Sequence, residues 1–301
     1  LVDAVRETPE PAAPTTGRGS VGVLVPSLDY YYPEVVRGAE DEAAAHGLDV
    51  VLRRSSYDGG EDRGQLVRLL EHPGVTGLVA APTPSAPDAQ EVLAWLGSLQ
   101  VPVVLVERSP SRDVTGSQVE SVVTDHALGA RMAVRHLADL GHRSIGIVVD
   151  ADSPTTPHLH RGWASAMSDL DLDVGSVVDE AVPSPGTSAS ARATEQVLQD
   201  CLRRGTTALL VHADSEAVAI VQQAERLGVR VPEDLSVVAY DDAVAELFTP
   251  RLTAVRPPRG SVGRAAVSLL AQRLADPGRP SHHVRITPSL RVRESTAAPR
   301  G

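Results

Sequence analysis

The stretch LSVVAYDDA, residues 235–243, runs from a short apolar segment into two adjacent carboxylates, Asp241 and Asp242. A short apolar run of this length predicts a buried strand, and the acids mark its end. The same pattern occurs in SVVTD, which ends at Asp125, and in TALLVHAD, which ends at Asp214. Buried strands that end in negative charge therefore recur along this chain.

Amphipathic helical stretches separate these apolar runs, and the connections between them are short. Strand and helix alternate from Val21 onward, and a second series of the same kind begins with SIGIVVD at Ser144. This alternation is typical of parallel sheets covered by helices. We therefore expect an α/β fold with two doubly wound parallel-sheet subdomains.

Open parallel sheets bind ligands beyond the carboxyl ends of their strands. Asp125, Asp214 and Asp241 are all expected at that edge, where a carboxylate can accept hydrogen bonds from the hydroxyl groups of a ligand. The alternative is that each aspartate only caps the helix or turn that follows it. Three such residues together favour a polar ligand site.

Composition limits the possible functions. The chain has 301 residues, 42% of them hydrophobic, so it can bury one large core or two ordinary ones. Its formal net charge of -11 argues against the chain itself gripping a nucleic-acid backbone. The single cysteine, Cys201, excludes an intrachain disulfide, and no apolar run is long enough to span a membrane. No export signal is seen either, so we expect a cytoplasmic protein.

Sequence motifs for common catalytic sites are absent. GxxxxGK[ST], GxSxG, HExxH and CxxC do not occur, which leaves nucleotide, hydrolase, zinc-peptidase and thiol-redox functions without support. A metal site built from His158, His160 and His212 with Asp125 is an alternative to ordinary exposed or hydrogen-bonded histidines. We predict no metal, no cofactor and no enzymatic activity.

Three segments resemble the regulatory core of the LacI/GalR transcriptional repressors. They are VPEDLSVVAYDD with TPRLTAVRPP after it (231–258), ALGARMAVRHLADLGHRSIGIV (127–148) and VGVLVPSLDYYYPEVVRGAEDEAAAHG (21–47). The resemblance covers roughly residues 21–296. It implies a periplasmic-binding-protein-like core of two subdomains, joined by three crossovers, with a ligand cleft between them.

The resemblance also implies a division of the chain. We expect a linker at residues 1–20, following a DNA-binding head that is absent from this chain, and a tail at 297–301. The expected N-terminal subdomain is 21–141 plus 255–279, and the expected C-terminal subdomain is 142–254 plus 280–296.

Seven positions match the effector-binding residues of the family. An aromatic pair that lies against the effector falls on Tyr31 and Tyr32, and family carboxylates fall on Asp125, Asp214 and Asp241. The family's usual asparagine before the second of these acids is Ala213 here, and its usual effector-clamping arginine is Leu159. Loss of that arginine weakens the expectation of a simple monosaccharide and favours a less polar ligand or a sugar derivative, held also by Trp163.

The resemblance thus predicts a ligand-sensing core of a LacI/GalR-type regulator, and the expected effector is a small molecule, a sugar or sugar derivative. Such regulators act as homodimers and reach operator DNA through an N-terminal helix-turn-helix. The alternative with the same fold is the solute-binding protein of a sugar transporter.

Overall fold

The structure is a computed structural model that describes residues 19–55, 60–110 and 119–300. Most of the predicted linker, up to residue 18, lies outside the described residues, as does residue 301 of the predicted tail. The strands, in chain order, are β1 (Ser20–Val25), β2 (Asp49–Arg54), β3 (Val75–Ala80), β4 (Val103–Val106), β5 (Glu120–Thr124), β6 (Ile145–Asp150), β7 (Asp179–Val182), β8 (Ala208–His212), β9 (Ser236–Tyr240), β10 (Thr253–Arg256), β11 (His283–Ile286) and β12 (Ser289–Arg291).

Helices follow most of these strands. They are α1 (Tyr32–Ala45), α2 (Asp62–Leu70), α3 (Ala89–Gly97), α4 (His126–Asp139), α5 (Thr156–Asp169), α6 (Ser188–Arg204), α7 (Asp214–Arg226) and α8 (Arg259–Ala275). A short 3₁₀ helix at Ala245–Leu247 follows β9. The chain therefore alternates strand and helix as its apolar pattern predicts.

The strands form two sheets. The first has the order β11-β5-β4-β3-β1-β2 and the second the order β12-β10-β9-β8-β6-β7. Neighbouring strands are parallel, with the exception of the antiparallel pair β10 and β12. The α/β fold class with two doubly wound sheets is confirmed.

Each sheet is covered by helices on both faces. In the first sheet one apolar cluster joins the strands to α1 and α8, and another joins them to α2 and α3. In the second sheet α4 and α5 cover one face and α6 and α7 the other. Because these strands are buried on both faces, their sequences are continuous apolar runs. A strand with one face in water would instead alternate apolar and polar residues.

Glycines allow two pairs of helices to pack closely. An added Cβ at Gly263 of α8 would collide with the backbone carbonyl of Val35 in α1, and one at Gly162 of α5 with that of Ala127 in α4. The α4–α5 contact brings the first turns of both helices together. This places the His126 and His158 rings 6.3 Å apart, measured between centroids.

The predicted subdomain boundaries need correction at two crossings. Helix α4 packs against α5, β10 and β12, so residues 126–141 belong with the second sheet and not the first. Strand β11 pairs with β5 in the first sheet, although its residues were expected in the C-terminal subdomain. The chain crosses near residues 125, 257 and 287. No glycine or linker-like run marks the first crossing, because α4 begins immediately after Asp125.

Candidate functional site

The carboxyl ends of β4 and β5 in the first sheet lie near that of β9 in the second, and the region between them is called the cleft here. Arg259, the first residue of α8, crosses this region. Its side chain is buried, and its Nε donates to Glu34 Oε2 on α1 at 3.0 Å. Its Nη1 donates to the backbone carbonyl of Asp241, at the end of β9, also at 3.0 Å. The guanidinium lies over the ring of Tyr31, 5.6 Å from the centroid. One side chain therefore ties the first subdomain to a strand end of the second.

Glu107, which follows β4, is the centre of the polar network on the first subdomain. Its Oε1 accepts hydrogen bonds from the Tyr31 hydroxyl and the Thr124 hydroxyl, each at 2.7 Å. Its Oε2 accepts from the Thr124 backbone N–H at 3.0 Å and lies 3.3 Å from His126 Nε2. Burial acts to raise the pKa of this carboxyl, but the hydrogen bonds and the His126 charge outweigh burial and lower it to about 2. Glu107 is thus a satisfied, ionised carboxylate.

His126, the first residue of α4, carries this network into the second subdomain. Its Nδ1 lies 3.0 Å from the hydroxyl of Tyr240, the last residue of β9. Nε2 faces the Glu107 carboxylate and therefore donates to it, while Nδ1 pairs with the Tyr240 hydroxyl, which also lies 3.4 Å from the backbone carbonyl of His126. The chain Glu107–His126–Tyr240 joins the two sheets through buried groups.

The predicted aromatic pair is displaced by one residue. Tyr32 is 4% exposed and belongs to the core between the first sheet and α1, which disfavours the predicted ligand contact. Tyr31 is partly buried and its hydroxyl is held by Glu107. Tyr30, just before the helix, is 50% exposed. The aromatic residues nearest the cleft are therefore Tyr30 and Tyr31, because α1 begins at Tyr32 and turns that ring inward.

Tyr30 faces the second subdomain. Partial burial raises the pKa of its hydroxyl, and so do the negative charges of Asp214, Glu216 and Asp241. These three acids lie at the ends of β8 and β9 or just beyond them. Tyr30 and the acids therefore border the same cleft from opposite sides.

Asp125 acts as a helix cap. Its Oδ1 accepts from the backbone N–H of Leu128 at 3.0 Å, which satisfies a free donor in the first turn of α4. Its Oδ2 lies 3.9 Å from Arg285 Nη1, too far for a hydrogen bond. The capping alternative describes the role of Asp125 in this structure.

Asp214 holds a loop and offers no surface to a ligand. It is fully buried, and its two oxygens accept from the backbone N–H groups of Asp242, Ala243 and Val244 at 3.1, 2.6 and 2.9 Å. Burial raises the pKa of this carboxyl to about 6, with a further contribution from the charge of Asp241. The predicted ligand contact of Asp214 is therefore disfavoured, because its hydrogen bonds hold the loop after β9.

The adjacent acids Asp241 and Asp242 have different roles. Asp242 is buried and forms ion pairs with Arg256 at 2.6 Å and with Arg293 at 2.8 Å. In the described part of the chain no hydrogen-bond donor reaches the Asp241 carboxylate, and the nearest basic atom is His212 Nε2 at 3.9 Å. Of the two adjacent acids, Asp242 is therefore a structural carboxylate held by two arginines, and Asp241 has no such partner among the described residues.

Burial raises the pKa of Asp241 to about 6, although the positive charges of His126 and Arg259 oppose this shift. Its side chain is 14% exposed. The backbone at Asp241 has φ 100°, a left-handed value that is costly for a residue with a Cβ. Of the seven predicted residues, Asp241 most clearly combines access to the cleft with unused hydrogen-bonding capacity.

Leu159 and Trp163 belong to the core of the second subdomain. Leu159 is fully buried, and Trp163 is 3% exposed with its indole N–H donating to the backbone carbonyl of Ile145 at 3.1 Å. Both lie on the inner face of α5, in the cluster that includes Tyr240. Their burial disfavours the predicted ligand contacts, since helical periodicity turns positions 159 and 163 toward the sheet.

The three histidines weighed as metal ligands lie apart. His158 lies 2.6 Å from Arg161 Nη2, His160 lies 3.4 Å from Asp179 Oδ1, and His212 lies at the end of β8. Residues 19–55, 60–110 and 119–300 contain no group of three or more potential metal ligands. In the same ranges no helix has the length and hydropathy needed to cross a membrane.

Sequence reasoning missed Glu107, Arg259 and the bridging role of His126. Glu107 follows the apolar run VPVVLV as the aspartates follow theirs, so the strand-end rule would have found it. Arg259 carries no local signal, because its partners Glu34 and Asp241 are distant in the sequence.

Comparison with known proteins gives this site its context. Residues 134–296 match the model of the periplasmic binding protein-like domain. An uncharacterised HTH-type transcriptional regulator from the aml 5′ region of Streptomyces limosus is 33% identical over 288 residues, which are 93% of this chain and 79% of that protein. The HTH-type transcriptional repressor PurR of Pectobacterium carotovorum is 29% identical over 92% of this chain and 80% of its own length.

A solved structure agrees with these matches. The LacI family transcriptional regulator from Mycobacterium smegmatis superposes with a TM-score of 0.73 at 28% identity, and the match covers 93% of this chain and 100% of that one. The fold and the cleft define an effector-binding core of the periplasmic-binding-protein type. The chain belongs to the LacI/GalR family of transcriptional regulators.

Proposed function

We propose that this chain senses a small, hydroxyl-bearing effector, a sugar or sugar derivative, in the cleft between its two subdomains. The observation that carries the proposal is the Asp241 carboxylate, which is largely buried at the cleft and has no hydrogen-bond donor among the described residues. A carboxylate that is largely removed from water and has no donor within the protein can accept a charge-assisted hydrogen bond from a ligand hydroxyl. Tyr30 and Tyr31 offer ring surface on the opposite wall.

Effector binding would act through the relation between the two subdomains. Arg259 and the Glu107–His126–Tyr240 chain join the two walls, so a ligand that contacts both walls prefers one relative arrangement. Only such differential affinity can shift the equilibrium, and typical coupling free energies are about 1 to 3 kcal/mol. The output of a LacI/GalR-type regulator is a homodimer that binds operator DNA through a helix-turn-helix in the cytoplasm, and we propose the same for the protein that carries this core.

A ligand panel tests the proposal. Mono- and disaccharides, sugar phosphates, polyols, nucleobases and nucleosides are screened by thermal shift, since a ligand that binds only the native state raises the unfolding midpoint. Calorimetry then compares the wild type with Asp241→Asn. Loss of one charge-assisted hydrogen bond, worth about 1.5 to 3 kcal/mol, should weaken binding of a polyhydroxylated ligand by roughly 10- to 100-fold.

Asp139→Asn is the matched control. Asp139 is 71% exposed at the end of α4, and its one ion pair within the described ranges is with Arg135, so the same chemical change there should leave affinity as it is. No response to any hydroxyl-bearing compound, or equal affinity of the Asp241→Asn variant and the wild type, would contradict the proposal.

A further inference from the structure

His212 is a second polar group at the cleft that the described protein leaves without a partner. It is the last residue of β8, and its side chain is 7% exposed. Nδ1 has no hydrogen-bond partner among the described residues. Nε2 lies 3.9 Å from Oδ2 of Asp241, beyond hydrogen-bonding distance. Two unsatisfied groups thus lie side by side at the ends of neighbouring strands β8 and β9.

The position of the proton on His212 follows from its surroundings. Burial lowers the pKa of the ring to about 4, so it is neutral at pH 7 and carries one N–H. A buried N–H without a partner is rarer in proteins than an unfilled acceptor, which disfavours the proton on Nδ1. The Asp241 carboxylate beside Nε2 attracts a positive hydrogen. We therefore assign the Nε2–H tautomer, which makes His212 the donor and Asp241 the acceptor.

The gap between these two atoms fits one oxygen atom. An oxygen about 2.8 Å from both Nε2 and Oδ2, atoms that are 3.9 Å apart, would form two normal hydrogen bonds at an angle of roughly 90°. That oxygen has to accept from His212 and donate to Asp241. A hydroxyl group can do both, whereas an ether or a carbonyl oxygen has no proton to give.

We propose that His212 and Asp241 together bind a single hydroxyl group of the effector, with His212 as the specificity-determining donor. This inference rests on the proposed function and deepens it. Ala213 lacks the side-chain amide that the family resemblance leads one to expect, and His212 supplies a polar side chain one residue earlier. The effector class is then a neutral alcohol whose recognised hydroxyl cannot be replaced by hydrogen or by a methyl ether.

The test compares His212→Phe, which keeps a ring but has no polar side-chain atom, with His212→Asn, which keeps a donor and an acceptor. Calorimetry uses matched pairs of probes: D-glucose with its mono-deoxy and mono-O-methyl derivatives, and D-galactose and D-ribose with theirs. For the parent sugar that binds, we expect His212→Phe to lose about tenfold or more in affinity and His212→Asn to recover part of the loss. One deoxy derivative should bind the wild type as weakly as the parent binds His212→Phe, and should lose no more in that variant.

The outcomes separate the two proposals. If Asp241→Asn loses affinity but His212→Phe binds the parent sugar as the wild type does, the role of His212 is overturned and the proposed function stands. If no hydroxyl-bearing compound of the thermal-shift panel, these sugars included, binds the wild type, both are overturned. Nitrogen-15 NMR of labelled histidine gives an independent reading: the Nε2–H tautomer supports the proposal, and the Nδ1–H tautomer overturns it, whatever the ligand.

Discussion

Glu107 and Asp241, one carboxylate on each wall of the cleft, differ in their hydrogen bonds. On the first wall Glu107 accepts from the hydroxyl of Tyr31, from both donors of Thr124 and from His126. On the second wall no donor in the described chain reaches the carboxylate of Asp241. The pKa of Glu107 is lowered to about 2, because its hydrogen bonds outweigh burial, and burial raises that of Asp241 to about 6. Of these two acids, Glu107 belongs to the scaffold and Asp241 is available to a ligand.

The largest expected effect is the loss of stability when the Glu107 carboxylate of the first wall is removed. Glu107→Ala removes the acceptor of three hydrogen bonds and leaves His126 without its carboxylate, all in a buried setting. We expect a loss of about 3 to 5 kcal/mol in the free energy of unfolding, the usual cost of removing one partner from a buried charged pair. Denaturant unfolding measures it. Glu91→Ala, at an exposed position of α3, is the control and should change stability by no more than about 0.5 kcal/mol. A similar small change for both variants would mean that the network does not stabilise the fold.

Substitution of Asp241, on the second wall, is expected to change stability in the opposite direction. The raised pKa of Asp241 means that folding is disfavoured once the group ionises: this contribution to stability is complete below the unfolded value of about 3.9 and is lost as pH rises through about 6. Asp241→Asn imitates the protonated form. It should therefore stabilise the ligand-free protein by about 2 to 3 kcal/mol at pH 7.5, with the gain shrinking to near zero below pH 4.

Measuring the free energy of unfolding of the wild type and of Asp241→Asn across this pH range shows whether the variant is the more stable of the two. The same exchange at exposed Asp139 gives the baseline. A variant that is less stable than the wild type at pH 7.5 would show that Asp241 is already satisfied in the free protein, and the contrast between the walls would fail.

The smallest expected effect is that of substituting Asp125, and it tests whether this residue caps α4 or binds the effector. Asp125→Ala removes the acceptor of the Leu128 N–H at the start of α4 and should cost about 1 kcal/mol of stability. Because its role is local, effector affinity should stay within about twofold of the wild type, as calorimetry would show. A much larger loss of affinity would return Asp125 to the binding site.

The sequence predicted the fold class and the edge at which the acids gather, because both follow from local patterns. Apolar runs locate the strands, and parallel strands bring Asp125, Asp214 and Asp241 to one edge. The sequence could not tell the roles of these acids apart. Each is an aspartate after a strand, and the difference lies in tertiary partners, such as the loop N–H groups that surround Asp214.

The burial of the predicted aromatic and apolar positions has a related cause. Family position selected Tyr32 and Leu159, and Trp163 was added as an aromatic contact, but helical phase places all three in cores. The periodicity of α5 was available in the sequence and favoured burial of Leu159 and Trp163. The starting residue of α1 decides between Tyr31 and Tyr32, and helix boundaries are the part of a fold that local patterns fix least well.

His126 lies at a hinge point between the two halves of the molecule. It lies at the first crossing and is held by Glu107 on one side and Tyr240 on the other. In a rotation of one half on the other that keeps these bonds, the axis passes near His126, and each atom moves in proportion to its distance from that axis. Asp241, next to Tyr240, then stays almost in place while the outer surfaces of the halves travel farthest. A small displacement near the ligand would thus correspond to a larger displacement at the distant surfaces of the protein.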